Sequence, residues 1–319
     1  MSTYNIGFII KSLRVLMGIT QEGLADDIID VSGLKRLENG NRMPEKRKLE
    51  ALFQRLGVNP NNLTTIFITN DITSQQKITD QLDVQLRDLN VDAATASIQT
   101  LEEMAKTNKL YKDKLFDRYL MAAKVANDIN AGNYNLTESI EMLEKTMKLH
   151  YPRYNHNRIA NYYLTMTDFR ILLMLGLLYC NQNNTDRGIK ILYDLKENTE
   201  KNITDRIERG RRYPNIIYNL THKLMERDEY KEVIKLCRQG HDVCIETESL
   251  MLLPDIIIQE ANANYYIKNY DECIQLFLAA CYTYKLYGQY EKLEKTKDYV
   301  KNQFNIVLDE MMHPKIVST

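Results

Sequence analysis

Glycine and proline are scarce in this chain, and their scarcity limits the folds open to it. The 319 residues include 12 glycines and 6 prolines, which leaves little material for the tight turns of β-hairpins, barrels or glycine-rich nucleotide loops. With 44% hydrophobic and 27% charged residues, the composition is that of a globular protein. The sequence therefore predicts an all-α protein, and its length suggests about two domains.

Charge is distributed unevenly along the chain. The net charge is +2 over residues 1–64 and −3 over the remainder. Because the phosphate backbone of a nucleic acid attracts cationic side chains, we expect any nucleic-acid contact in the first segment.

Helical spacing of apolar residues predicts five short helices within residues 1–66. Thr20 is a suitable N-cap for the second helix, and Asp30 and Ser32 are both suitable for the third. The third helix should end at Asn39-Gly40, a dipeptide that adopts left-handed backbone easily. Helices this short are unstable alone, so we expect them to pack into one compact domain.

Three segments of this region resemble, in order and spacing, the Xre-type helix-turn-helix of phage repressors and Cro proteins. They are Thr20 to Ala25 (TQEGLA), Val31 to Gly40 (VSGLKRLENG) and Leu56 to Val58 (LGV). The turn between Ala25 and Ser32 lacks the glycine of the phage proteins and is one residue shorter, as in Rgg-type regulators. The resemblance implies a domain of about 60 residues that binds double-stranded DNA.

In such motifs the recognition helix lies in the major groove, and side chains near its N-terminus contact base edges. Arg36 is able to bond a guanine twice, Val31 can contact a thymine methyl group, and Ser32 can bond either strand. The residues expected to contact DNA are Gln21, Val31, Ser32, Gly33, Lys35, Arg36, Arg42 and Lys46. For the cationic residues the alternative is ordinary solvated surface charge. Arg14 and Glu38 match positions that pair beneath the recognition helix in phage repressors, so we expect a salt bridge there.

Residues 75–319 contain a degenerate repeat, in which a small residue followed by a larger one recurs. The small residues are Ala94, Ser139, Gly188, Val233 and Cys273. This pattern resembles tetratricopeptide repeats, although the unit is longer than the usual roughly 34 residues. We expect the β-branched, polar segment 67–74 to be a linker, and residues 290–312 to form a terminal helix that caps the repeats.

An Xre-type domain joined to about five degenerate helical repeats resembles the RRNPP group of regulators, which includes the Rgg, PlcR and PrgX types. The resemblance implies an N-terminal helix-turn-helix domain followed by a right-handed α-solenoid. It also implies a cytoplasmic homodimer that binds a palindromic operator and senses a short imported signalling peptide, as in quorum sensing. The alternative is a ligand-independent phage- or plasmid-type repressor whose repeats serve dimerisation or the binding of a protein partner.

A peptide on the concave face of a solenoid needs partners for its backbone N–H and C=O groups, and an amide side chain provides both. Asn219 lies about three helical turns before Tyr230, where tetratricopeptide clamps place such an asparagine, and the same offset from Tyr270 gives Gln259. The expected peptide-binding residues are Asn219, Gln259, Asn262, Arg170 and Tyr218. The arginine suits a peptide carboxylate, and the tyrosine can cover apolar side chains. Solvated surface amides are the alternative.

The sequence has none of the common catalytic motifs. Cys237, His241 and Cys244 have the spacing of metal ligands on one helix face, but a fourth ligand is missing and both cysteines continue an apolar stripe. We therefore expect no enzyme activity, no cofactor and no metal. The five cysteines include no CxxC pair, which fits reduced thiols in the cytosol. We also expect no secretory signal and no membrane span.

Overall fold

A computed structural model describes residues 6–41, 44–57, 70–107, 114–182 and 184–312. All regular secondary structure within these ranges is helical, as the composition predicts. The chain divides into two compact units, and the boundary falls between residues 84 and 85.

The first unit contains four short helices in its described residues. They are α1 (Ile6–Leu16), α2 (Gln21–Ala25), α3 (Val31–Glu38) and α4 (Lys46–Arg55). The fifth helix expected near residue 63 lies outside the described residues. The core is a cluster of buried apolar side chains from all four helices, namely Ile10, Leu24, Ala25, Leu34, Leu37, Leu52, Phe53 and Leu56.

Side-chain caps begin the two central helices of this unit. Thr20 Oγ1 accepts a hydrogen bond from the backbone N–H of Gly23 at 3.0 Å. Asp30 Oδ1 accepts one from the N–H of Gly33 at 2.6 Å, so Asp30, and not Ser32, is the cap of α3. Helices α1 and α3 approach closely at Gly7, where a Cβ atom would lie 1.6 Å from the carbonyl oxygen of Leu37. Any side chain at Gly7 would therefore separate the two helices.

Twelve further helices follow in the described residues, and all but the last, which has five residues, are longer than those of the first unit. They are α5 (Asn70–Arg87), α6 (Val91–Thr107), α7 (Lys114–Asn130), α8 (Leu136–His150), α9 (Met166–Asn181), α10 (Thr185–Asn202), α11 (Arg206–Met225), α12 (Tyr230–Thr247), α13 (Leu253–Tyr266), α14 (Tyr270–Leu286), α15 (Tyr290–Phe304) and α16 (Leu308–Met312). Helix α5 crosses the boundary between the two units. Short 3₁₀ turns lie at His156–Asn161 and Leu250–Leu252. Residues 70–74 of the expected linker are the first turns of α5, and residues 67–69 lie outside the described residues.

The repeat pattern of the sequence corresponds to a fixed position in this stack of helices. Each of its five small residues lies three residues after the first residue of α6, α8, α10, α12 or α14, and each is buried. At Gly188, a Cβ atom would lie 2.4 Å from both the Cys180 sulfur and the Gly176 carbonyl oxygen. A small side chain there lets α10 pack closely on α9, so the repeat is one of helical hairpins.

The C-terminal segment is two helices rather than the single helix expected over residues 290–312. Helix α15 ends at Phe304, and Asn305 adopts a left-handed backbone with φ of 57°. A left-handed residue at this position ends an α-helix, and asparagine tolerates it better than most residues. The chain resumes as α16, whose Leu308 and Met312 pack with Phe277 and Phe304.

A buried ion pair crosses the first hairpins of the second unit. Arg118 on α7 pairs with Asp168 on α9, and its Nε donates to the Thr146 carbonyl oxygen at 3.2 Å. Asp168 also lies 3.2 Å from His150 Nδ1 and accepts from Thr165 Oγ1 at 2.7 Å. Burial lowers the pKa of both Arg118 and His150. The pair therefore joins three helices through charge rather than through apolar contacts alone.

No helix among the described residues is long and apolar enough to cross a membrane. The five cysteines are all buried free thiols.

Candidate DNA-contact surface and ligand cleft

Four of the residues expected to contact DNA lie exposed on α3. They are Val31, Ser32, Lys35 and Arg36. Arg36 Nη2 donates to Ser32 Oγ at 3.1 Å, and Ser32 Oγ donates to Asp30 Oδ1 at 2.5 Å. These bonds, the N–H of Gly33 and the charge of Arg36 lower the pKa of Asp30. The guanidinium is thus held beside the N-terminus of α3, at the position from which a recognition helix contacts bases.

Gly33 does not reach this surface, contrary to the sequence-based expectation. It is buried, and a Cβ atom at this residue would lie 2.9 Å from Asp30 Oδ2 and 3.0 Å from a side-chain carbon of Ile29. Gly33 lies one helical turn before the buried Leu37, so it is on the face of α3 that packs inward, although its neighbour Ser32 is exposed. Gly33 therefore lets the capping turn approach α3 and cannot touch a base edge.

Gln21 is engaged inside the domain instead of being free for a phosphate. Its Nε2 donates to Glu38 Oε2 at 2.6 Å, which links the start of α2 to the end of α3. Arg42 lies outside the described residues, and of Lys46 only the backbone, at the start of α4, is described.

The expected salt bridge between Arg14 and Glu38 is confirmed. Arg14 donates from Nε to Glu38 Oε1 at 2.6 Å and from Nη2 to Oε2 at 3.0 Å. Its Nη1 donates to the Ile19 carbonyl oxygen at 3.0 Å. Burial opposes ionisation of Glu38, but the bonds from Arg14 and Gln21 outweigh it and lower the pKa of Glu38. The pair fixes α1 against the end of α3, beneath the exposed recognition face.

The second unit contains a cleft of about 690 Å³ between its C-terminal helices. One face each of α11, α13 and α15 lines it, together with the α11–α12 turn and one tyrosine of α14. The lining residues are Tyr218, His222, Met225, Glu226, Asp228, Tyr230, Asp255, Ile258, Gln259, Asn262, Tyr266, Tyr284, Lys292, Lys295, Thr296 and Tyr299. Three expected peptide-binding residues, Tyr218, Gln259 and Asn262, are thereby brought together.

The helices that line the cleft share a register of 37 residues. Lys292 Nζ lies 3.0 Å from Asp255 Oδ2, and the Tyr299 hydroxyl donates to Asn262 Oδ1 at 3.1 Å. Both bonds span 37 residues, so α13 and α15 run in the same direction.

The same interval extends to α11 and arranges the lining side chains in three rows. The rows are Tyr218, Asp255 and Lys292; His222, Gln259 and Thr296; and Met225, Asn262 and Tyr299. Corresponding side chains of three neighbouring parallel helices therefore face the same space.

Asn219, which we expected to be the main peptide ligand, does not line the cleft. Its Nδ2 donates to the carbonyl oxygen of Asn215 in its own helix at 2.7 Å. In the 37-residue register its equivalents are Ile256 and Leu293, which are both buried.

The prediction of Asn219 relied on an equal offset from the start of the next helix. This offset does not identify equivalent residues, because α11 and α13 end at different points of the 37-residue register. Helix α11 ends at Met225, whereas α13 continues about one turn beyond the equivalent Asn262, to Tyr266. The same offset counted back from Tyr230 and from Tyr270 therefore reaches positions that are not equivalent. His222, not Asn219, is the equivalent of Gln259.

Arg170 also lies away from the cleft, on α9. The sequence did not lead us to expect residues of α15 in the cleft, because we expected this helix only to cap the repeats. Its lining residues Lys292, Lys295, Thr296 and Tyr299 follow the i, i+3, i+4, i+7 spacing of one helix face. This polar face was the signal available in the sequence.

Amide and phenol groups dominate the cleft wall. Gln259 is about nine-tenths buried, and its side-chain amide has no hydrogen-bond partner among the described residues. Asp255 accepts from the Tyr284 hydroxyl at 2.8 Å. The rings of Tyr230 and Tyr266 stack with their centroids 4.8 Å apart. Burial raises the pKa of Tyr218 and Tyr299. The Tyr299 hydroxyl already donates to Asn262, whereas the Tyr218 hydroxyl has no partner among the described residues and can donate to a ligand.

The Cys237, His241 and Cys244 face is part of the core between α12 and α13. Burial raises the pKa of Cys244 to about 11, and it also raises that of Cys237. His241 Nδ1 lies 3.4 Å from Glu260 Oε2, while Arg238 Nε donates to Glu260 Oε1 at 3.0 Å. Among the described residues, no group of three or more His, Cys, Asp or Glu is placed to hold a metal ion.

Known proteins match the N-terminal segment of this chain and, in comparisons of structure, nearly its whole length. Residues 10–63 match the helix-turn-helix family HTH_3. Residues 10–63 are a helix-turn-helix domain. No curated protein matches the sequence.

Solved structures match nearly the whole chain. Bacillus thuringiensis PlcR in complex with the peptide PapR7 and DNA superposes with a TM-score of 0.68 at 15% identity, covering 92% of this chain and 99% of PlcR. ComR from S. thermophilus, in complex with DNA and its signalling peptide ComS, gives 0.55 at 15% identity, covering 92% and 98%. A variant of the Streptococcus dysgalactiae SHP pheromone receptor Rgg2 gives 0.52 at 12% identity, covering 94% and 99%. The chain has the fold of these proteins, and the expected order of a helix-turn-helix unit followed by helical hairpins is confirmed.

Proposed function

We propose that this chain is a cytoplasmic transcription regulator that binds DNA through α3 and a short signalling peptide in the cleft of α11, α13 and α15. The observation that carries the proposal is that one chain has an exposed polar face on α3 and a cleft lined by Gln259, whose amide has no hydrogen-bond partner among the described residues. PlcR and ComR, whose fold this chain shares, are described in complex with both a peptide and DNA. That shared fold supports the proposal.

The dimensions of the cleft suit a short extended peptide. The lining residues of α13 run from Asp255 to Tyr266, a distance of about 16 Å at a rise of about 1.5 Å per residue. An extended chain covers about 3.3 Å per residue, so about five peptide residues fit along this face. The amides of Gln259 and Asn262 lie in the middle of the span, where they can bond the peptide backbone, and the tyrosines can cover its side chains.

The DNA-binding half of the proposal requires two copies of the chain. One domain presents few side chains able to distinguish bases, of which Arg36 is the one able to make a bidentate bond to guanine. Two copies on paired half-sites would supply the missing affinity, which favours a symmetric homodimer and a palindromic operator. A peptide can regulate such a dimer only as far as its affinities for the two dimer arrangements differ.

Peptide binding can be tested with a library of synthetic hexapeptides that each carry one tryptophan. The protein has no tryptophan, so fluorescence anisotropy reports on the peptide alone. We expect a subset of peptides to bind the full-length chain, and Gln259→Ala and Asn262→Ala each to weaken binding about three- to tenfold, the value of one net hydrogen bond.

Asn219→Ala is the matched control, because the same kind of amide is removed outside the cleft. Its affinity for the peptides should equal that of the wild-type chain. DNA binding is tested separately by selection from random duplexes, with and without the peptide. Selection of a palindrome without binding of any peptide would favour the ligand-independent repressor.

A further inference from the structure

We infer that the bound peptide has a fixed direction, with its α-carboxylate at the Lys292–Lys295 end of the cleft and its α-amine at the Glu226–Asp228 end. The inference rests on the proposed function, and it adds which chemical groups the peptide must carry at its two ends. Three features of the cleft support it: the lining charges, the helix ends and the amides between them.

The lining charges differ in sign between the two ends. Lys292 and Lys295 line the end where α15 begins. The one lining carboxylate there, Asp255, is already compensated, because it pairs with Lys292 at 3.0 Å and accepts from Tyr284. The ammonium group of Lys295 pairs with Glu291 on the exposed rim and can turn to a ligand. Among the lining residues of this end there are therefore two cations and one carboxylate.

Carboxylates line the opposite end. Glu226 and Asp228 lie in the α11–α12 turn, and no lysine or arginine lines the cleft beside them. Asp228 accepts a hydrogen bond from the Tyr230 hydroxyl. Glu226 pairs with Lys223, which does not line the cleft, and lies 3.3 Å from Nδ1 of the lining residue His222. An ammonium group of a ligand is therefore favoured here and a carboxylate is disfavoured.

The directions of α11, α13 and α15 add to this difference. Helices α13 and α15 begin at Leu253 and Tyr290, which are equivalent in the 37-residue register, so both N-termini lie at the lysine end. Helices α11 and α13 end at Met225 and Tyr266, beside the carboxylates. Partial positive charge accumulates at helix N-termini and partial negative charge at C-termini. The N-terminus of α12 at Tyr230 and the C-terminus of α14 at Leu286 lie at the carboxylate end and the lysine end, respectively, and oppose this contribution. The lining side chains therefore remain the main argument for the peptide direction.

The amides between the ends show that the cleft is suited to a ligand rather than being a gap between charged helices. Gln259 lies midway along α13, with only a tenth of its surface exposed and no partner for its amide among the described residues. The amide atoms keep some exposure to the cleft, and the backbone of a peptide that spans the two charged ends can bond them.

The test uses one tryptophan-bearing hexapeptide that binds the wild-type chain, made in three forms: free ends, C-terminal amide and N-terminal acetyl. We expect amidation to weaken binding to the wild-type chain about tenfold, because it removes a charge-assisted bond. In the double variant Lys292→Gln/Lys295→Gln, amidation should change the affinity less than about threefold. Lys301→Gln, an exposed position on the same helix outside the cleft, should retain the full effect.

The amine end is tested with Asp228→Asn. Asparagine tolerates the left-handed backbone of this residue, whose φ is 60°, and its side-chain oxygen can still accept from Tyr230. Acetylation should weaken binding to the wild-type chain and have less effect on this variant. Equal binding of all three peptide forms to the wild-type chain would overturn the assigned direction while leaving peptide binding intact. Failure of every library peptide to bind would instead overturn the proposed function itself.

Discussion

Each unit contains a buried arginine–carboxylate pair, and the two pairs differ in how fully they are satisfied. In the helix-turn-helix unit all three guanidinium nitrogens of Arg14 donate to Glu38 or to a backbone carbonyl. In the repeat unit Arg118 is more deeply buried, and its Nη1 has no partner among the described residues. The first pair completes a compact local network, whereas the second holds together three helices at a cost in desolvation.

The two pairs have different structural roles. The Arg14 pair orients a surface, since Glu38 ends the recognition helix and also binds Gln21. The Arg118 pair connects helices that are distant in the sequence, because Asp168 lies 50 residues after Arg118. Removing one partner of either pair strands a charge, and the deeper site should suffer more.

The largest effect is therefore expected at Arg118. Arg118→Ala leaves Asp168 buried without its cation and also opens a cavity, so we expect a loss of about 4 to 5 kcal/mol in the free energy of unfolding. Urea unfolding of the full chain, followed by circular dichroism, measures it. Arg87→Ala, which removes an exposed pair with Asp88, is the control and should cost less than about 1 kcal/mol. Equal losses in the two variants would contradict the comparison.

Arg14→Ala should have the next largest effect, a loss of about 3 kcal/mol. Glu38 is almost fully buried and would retain only Gln21 as a partner. The same urea experiment applies, and affinity for a selected DNA duplex should fall with the population of the folded domain. A loss below about 1 kcal/mol would mean that Glu38 is protonated or rehydrated, and the two pairs would then differ more than we infer.

The recognition face should respond through DNA binding rather than through stability. Arg36→Ala should weaken binding to the selected duplex by about 1 to 3 kcal/mol and relax the preference at one base position. Lys35→Ala, on the same exposed face, should weaken binding to all sequences about equally. Competition titrations with single-base variants of the duplex distinguish the two outcomes. Unchanged base preference in the Arg36 variant would remove this residue from base recognition.

The smallest effect is expected at Glu260, where pH reveals a third type of buried charge. Burial raises the pKa of Glu260, so the folded chain binds this proton more tightly than the unfolded chain does. Stability from the group is fully present below the unfolded pKa and is lost as pH rises through the folded pKa. Glu260→Gln should therefore gain about 2 °C in Tm over the wild-type chain at pH about 7, and the gain should vanish near pH about 4.

Thermal scans at several pH values, with the exposed Glu141→Gln on α8 as control, measure this gain. The control should follow the wild-type curve at every pH. A gain that grows towards low pH would reverse the sign assigned to Glu260 and would show that the bond from Arg238 outweighs burial.

The sequence by itself determined the features that depend on neighbours along one helix. It predicted the all-α fold, the cap Thr20, the two candidate caps Asp30 and Ser32, the exposed face with Arg36, and the small residues that recur along the repeats. Helical periodicity fixes which residues share a face within a few turns, so these predictions needed no knowledge of packing. Gly33 was the exception: its position one turn before Leu37 puts it on the inward face of α3, but we had expected a DNA contact because it lies near the N-terminus of the helix.

Only the tertiary structure decided which residues of distant helices share a site. Helix α13 continues about one turn beyond the residue equivalent to the end of α11, which places His222, and not Asn219, among the lining residues of the cleft. The 37-residue register that brings Lys292 to Asp255 depends on packing between helices and on where each helix ends. The amino-acid pattern within any one helix carries neither quantity, because helical periodicity relates residues of that helix alone.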